Sequence, residues 1–183
     1  SLPKEFLQAA EKFDALVFGD VLEHLRDPWR VLSDLRNLMT PDGTCVACVP
    51  NVGHWSLVRQ LLSGRWDYAD SGLLDRTHVR FFTLETAVEM FQKAGWRVMD
   101  ASPRNLWPDK TEAALKALLP AAQALGGDVS KARLNMSALQ WVIRATNGAR
   151  PMPLSLAAVG LKKMAGVTEA RVDHPMMMLN SLP

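Results

Sequence analysis

Apolar positions fall into two kinds of block along the chain. Short continuous runs bounded by turn residues predict strands buried on both faces, and apolar residues recurring every three or four positions predict amphipathic helices. Phe13 to Asp20 is the first short run, and it ends in Gly19-Asp20. A helix follows, with Asp27 as N-cap, Pro28 at the first helical position, and Val31, Leu32, Leu35 and Leu38 along one face. Pro41-Asp42-Gly43 predicts a turn, and Thr44 to Val49 a second buried strand stopped by Pro50-Asn51.

Residues 53–63 predict a helix whose apolar stripe is Leu57, Val58, Leu61 and Leu62. Residues 64–82 break the pattern with Gly64, Gly72 and mixed charged and aromatic side chains, so a long loop is expected there, and such loops often carry function. Thr83 caps the next helix, which turns Leu84, Ala87, Val88, Phe91 and Ala94 inward and stops at Gly95. Trp96 to Ser102 predicts a third strand, an Ala/Leu-rich helix falls near 110–126, and Ser137 to Thr146 predicts a fourth strand. Pro151 and Pro153 then mark a boundary, with one amphipathic helix expected over 154–165 and His174 and Met176 to Met178 in the tail. The chain therefore divides into a domain at 1–147 and a linker or truncated C-terminal extension at 148–183.

Alternating strands and helices give an α/β class with a mainly parallel sheet. In such sheets ligands bind beyond the carboxyl ends of the strands, here Gly19-Asp20 and Pro50-Asn51. The 183 residues, 48% of them hydrophobic, suffice for one domain with a real core. The net charge of +2 and scattered Lys and Arg leave no nucleic-acid footprint, and no apolar run approaches the roughly 20 residues that span a bilayer. The start lacks a secretory signal, so a cytoplasmic protein is expected. Cys45 and Cys48 have the C-x-x-C spacing of redox and zinc sites. On a strand, however, positions three apart face opposite ways, which makes them core cysteines.

The stretch Phe13-Asp14 to Asp20-Val-Leu-Glu23-His24-Leu25-Arg-Asp27-Pro28, then Leu38-Met-Thr-Pro-Asp-Gly43, then Val49-Pro50-Asn51 resembles the second half of a class I S-adenosylmethionine-dependent methyltransferase. Gly72-Leu-Leu-Asp75-Arg-Thr-His78-Val-Arg80-Phe-Phe-Thr83 looks like the same family's loop before the helix leading to strand six, and Ala94-Gly95-Trp96 like its entry into that strand. The resemblance covers residues 13–102 and implies strands four to seven of a partial Rossmann-like sheet, mostly parallel, with helices on both faces and an antiparallel last strand. It implies S-adenosylmethionine as cofactor, with Phe18, Gly19, Asp20 and Val21 against it. The family's Gly-x-Gly turn occurs nowhere in the sequence. A fragment of a longer enzyme is therefore expected, whose uncovered sheet edge self-associates or meets a missing domain.

Methyl transfer needs mainly positioning of the two reactants, helped by a base when the acceptor is a hydroxyl. His24 and His78 are the candidate bases, because an imidazole accepts protons near neutrality. Asn51, His54 and Arg80 are expected to meet a small-molecule or sugar acceptor, although Arg80 can equally well pair with Asp75. The run Asp20, Glu23, His24 also looks like the pattern of metal-assisted phenolic O-methyltransferases, which implies a divalent cation. A plain first turn after the strand accounts for the same residues, and no metal is expected. A competing expectation is a non-catalytic interaction module of a larger protein.

Overall fold

The structure, a computed structural model, describes residues 12–148. The helix expected over 154–165, His174 and Met176 to Met178 lie outside the described residues, as does all of the extension after Gly148.

Strand β1 (Phe13–Gly19) pairs in parallel with β2 (Met39–Pro50), and β4 (Gln140–Thr146) lies antiparallel to both β2 and β3 (Arg97–Arg104), giving the sheet order β1-β2-β4-β3. The last strand thus enters between the second and third, and the other three run parallel.

Helix α1 (Pro28–Arg36) starts where expected: the Asp27 carboxylate accepts from the Arg30 N–H at 3.0 Å and Pro28 opens the first turn. It buries Leu32 and Leu35, whereas Leu38 is buried beyond the helix end, with its carbonyl accepting from Phe13 N–H. Helix α3 (Leu84–Lys93) begins with a reciprocal capping box between Thr83 and Thr86 and buries Met90 as well as the predicted Leu84, Ala87, Val88 and Phe91. Gly95 follows with φ of 85°, a conformation that favours glycine. Trp96 then donates its indole N–H to Leu32 O at 2.9 Å, tying the α3–β3 junction to α1 inside the core. These helices pack on Cys45, Ala47, Val49, Ile143 and Ala145 of the sheet.

Three expectations are corrected. Phe13 pairs with Met39 but Ala15 with Thr44, so residues 40–43 form a bulge within β2 rather than a turn before it. Ser137 ends helix α5 (Val129–Ser137), whose start is fixed by the Asp128 carboxylate accepting from Ser130 and Lys131 N–H, and the strand begins at Gln140. Of the stripe on α2 (Trp55–Leu62) only Leu57 is buried. Leu61 and Leu62 stand 53% and 73% exposed, because α2 meets α5 and α4 (Pro108–Ala124) through its other face.

The cysteines are free, Cys45 fully buried and Cys48 partly so. Burial pushes the Cys45 thiol up to about 12 and the Cys48 thiol up to about 11. Because the thiolate is the reactive form, iodoacetamide at neutral pH should leave both untouched in the folded protein and label both in denaturant. Rapid labelling of the native protein would contradict this placement.

Candidate functional site

The carboxyl ends of β1 and β2 open into a cleft of about 270 Å³ lined by Asp20, Glu23, His24, Pro50, Gly72, Leu73, Asp75, His78, Leu139 and Gln140. Asp20 leaves the strand with φ of 52°, a left-handed conformation that aspartate tolerates better than most residues. Its carboxylate is held by Gln140 Nε2 at 2.6 Å, which joins the end of β1 to the start of β4. The turn at Asp20 leads into a single 3-10 turn, Leu22–His24.

That turn buries Leu22 and Glu23 and leaves His24 exposed. The Glu23 carbonyl accepts from both Val79 N–H, at 2.9 Å, and Arg80 N–H, at 3.0 Å, so the long loop is clamped against the end of β1. The clamp brings His78 beside His24, ring centroids 4.8 Å apart and edge to face. His78 Nε2 stands 3.9 Å from Glu23 Oε1, too far for a hydrogen bond. Both Glu23 carboxylate oxygens are buried without a hydrogen-bond partner. Burial pushes this carboxyl up to about 7, reinforced by the nearby Asp20 charge.

Asp75 organises the loop locally. Its carboxylate accepts from Thr77 N–H at 2.8 Å and Thr77 Oγ1–H at 2.6 Å, an Asx-type turn that holds the carboxyl below the usual carboxylate range. The Thr77 hydroxyl is thereby committed as donor, so its oxygen and its carbonyl both accept from His24 Nδ1–H, at 3.1 and 3.2 Å. His78 Nδ1–H similarly donates to Leu73 O at 3.2 Å. Carbonyl oxygens only accept, so Nδ1 of each imidazole carries a proton, and in the neutral ring Nε2 is the lone pair.

The other sequence candidates sit elsewhere. Asn51 is fully buried and braces the backbone, donating to Asn135 O and Ala138 O at 2.7 Å while accepting from Gly53 N–H. His54 is fully buried as the N-cap of α2, bonded through Nδ1 to Ser56, and burial pushes its imidazole down to about 4. The Arg80 guanidinium reaches Arg26 O and lies over the Trp29 ring at 5.9 Å, and the Asp75 carboxylate is occupied by Thr77 instead. Phe18 is in the core, while Gly19 and Val21 flank the cleft without lining it. Among the lining residues, Gln140 and Leu139 carried no local signal; the Asp75-Arg-Thr77 turn is legible as an Asx pattern.

Ionising Glu23 should cost stability. A carboxyl whose folded-state pKa lies above its unfolded value loses stability as pH rises between the two, because the unfolded chain gives up the proton first. His54, whose imidazole burial pushes down to about 4, gives an opposing rise over much of the same range. In chelating buffer the Glu23 contribution is therefore a fall between pH 4.5 and about 7 that offsets this rise in the wild type's urea midpoint. Glu23→Gln should remove that fall; an unchanged slope in this variant would place the titration elsewhere.

With this geometry established, comparison with known proteins is informative. A family model described as a methyltransferase domain matches residues 2–101. No curated protein matches the chain. A SAM-dependent methyltransferase from Archaeoglobus fulgidus is 17% identical with a TM-score of 0.50, covering 78% of this chain and 63% of its own. A SAM-dependent methyltransferase from Thermotoga maritima is 13% identical with a TM-score of 0.46, over 77% of this chain and 60% of its own. The 1,6-didemethyltoxoflavin-N1-methyltransferase of Burkholderia thailandensis, solved with 1,6-didemethyltoxoflavin and S-adenosylhomocysteine, is 14% identical with a TM-score of 0.44, over 81% and 49%. The chain thus spans less than two thirds of the length of these structures, and at such identities the likeness is one of fold.

Proposed function

Because the chain belongs to the methyltransferase domain family, we propose that it takes part in methyl transfer from S-adenosylmethionine to a small-molecule or sugar acceptor held in the cleft beside His24 and His78. The observation that carries this is the meeting of the His24 and His78 rings, 4.8 Å apart, with the Glu23 carboxylate at the carboxyl end of β1. That is where a parallel α/β sheet binds its ligand.

Asp20, which lines the cleft, and the adjoining Gly19 fit the edge of a cofactor site. A Cβ built on Gly19 would meet nothing within 4 Å, so the backbone there is open to approach. The cofactor supplies the methyl group and its own leaving group. What remains for the chain is to orient the acceptor and take its proton, and the imidazoles of His24 and His78 have their lone pairs available for that. Asn51 braces the segment that leads into the lining residue Leu139 through its bonds to Asn135 and Ala138. A cytoplasmic setting is supported by two free cysteines that need no disulfide, and no helix among the described residues is long and apolar enough to cross a membrane.

A second reading, an interaction module without catalysis, draws on the exposed Leu61, Leu62, Trp66 and Tyr68 beyond α2. Calorimetry with S-adenosylhomocysteine, on the protein as its gene encodes it, separates the two. Binding is expected, and His78→Asn should slow methyl transfer about 10²- to 10⁴-fold, the usual worth of a positioned base, with cofactor affinity little changed. Absence of cofactor binding would leave the interaction module as the surviving reading.

A further inference from the structure

We infer that Glu23, His24 and His78 form a binding site for a divalent transition-metal ion at the acceptor end of the cleft. This deepens the methyl-transfer reading and rests on it for the ion's purpose, though not for its binding. With the two imidazoles given to the ion, they act as ligands in place of bases, and the ion instead lowers the pKa of an acceptor hydroxyl.

Three observations converge. One ligand atom from each of these side chains lies within 4.8 Å of the others. Atoms bound at about 2.0–2.2 Å to one ion sit roughly 3–4 Å apart, so small side-chain rotations suffice to close the set. Second, the cluster holds acceptors and no donor. Both Glu23 oxygens are buried without a partner, and the Nδ1 proton of each imidazole is given to a backbone carbonyl, which leaves Nε2 of the neutral ring as an acceptor. A buried carboxylate without a donor is costly, and a cation facing these lone pairs removes the cost. Third, each ring is already oriented from behind as metal-bound histidines are, by donation of the other nitrogen's proton. His78 donates to Leu73 O; His24 donates to Thr77, whose hydroxyl is in turn fixed by Asp75.

The set differs from the run Asp20, Glu23, His24 that the sequence offered. Asp20 is bonded to Gln140, and the third ligand arrives instead from the loop, 55 residues beyond Glu23 by number. Two imidazoles and one carboxylate suit borderline ions such as Co²⁺, Mn²⁺, Fe²⁺ or Zn²⁺ better than Mg²⁺ or Ca²⁺, which prefer all-oxygen sites. Three protein ligands leave positions open toward the cleft. An acceptor with two neighbouring oxygens fits those positions, which narrows the substrate class from any small molecule to one able to chelate.

The test is a Co²⁺ titration of the metal-free protein followed by its visible absorption bands, with circular dichroism to confirm the fold. The expected result is one equivalent bound with bands of nitrogen–oxygen ligation. Glu23→Gln and His78→Asn should each weaken binding at least tenfold, and Thr77→Val, which releases His24 from its orienting hydroxyl, about tenfold. No saturable binding by the folded wild type would overturn the site, as would binding indifferent to all three substitutions. S-adenosylhomocysteine calorimetry on the same samples keeps the readings apart. Cofactor binding without Co²⁺ binding sinks only the metal site, and Co²⁺ binding without cofactor binding sinks only the methyl-transfer reading.

Discussion

The site depends on one carbonyl oxygen. Glu23 O receives the N–H groups of both Val79 and Arg80, and this double bond is what holds the long loop over the end of β1. The His24 bonds to Thr77 join the same turn to the residue before His78, so the clamp and these bonds together set the two imidazoles side by side. The carbonyl can do this because the chain leaves β1 through a left-handed Asp20 into a single 3-10 turn. Such a turn leaves carbonyls that no longer helix consumes. Leu22, fully buried under the turn, keeps it from unwinding.

Legibility in the sequence followed the range of the interactions. Local devices could be read directly: the Asp27 cap with Pro28, the Thr83 cap and the Gly95 stop all involve residues within four positions. Periodicity found α2 but assigned it too wide an apolar stripe. Spacing says which residues share a face, whereas only the fold says what that face meets, and nothing among the described residues covers Leu62. The strand proposed from Ser137 was an over-extension, since an Asp128 cap started a short helix that the apolar pattern did not announce. His24 and His78 were visible as residues able to accept a proton. Their mutual placement was not visible, because it rests on backbone bonds between positions more than fifty apart.

Polar residues in the candidate list divided by what their neighbours could satisfy. Asn51 and His54 looked like substrate contacts from their place after β2, yet both are fully buried and largely occupied by backbone and cap bonds. Glu23 is the opposite case: equally buried, with neither carboxylate oxygen matched. Buried polar groups are ordinarily paired; His54 leaves only Nε2 unmatched, whereas Glu23 leaves both atoms of its charge-bearing group unmatched. Asn51 and Glu23, equally buried after two different strands, are thus told apart by their hydrogen bonds where burial does not distinguish them.

The cleft is also finished late. Its lining includes Leu139 and Gln140, and Gln140 grips Asp20, which lies 120 positions earlier in the chain. A polypeptide emerging from the ribosome exposes its N-terminal elements first. β1, β2 and the loop with its histidines thus leave the exit tunnel well before β4 can slot between β2 and β3. During that interval the flank of β2 that β4 will occupy stays open, and the pocket has one wall missing. The cleft of the nascent chain therefore stays incomplete until β4 brings Leu139 and Gln140 into its lining.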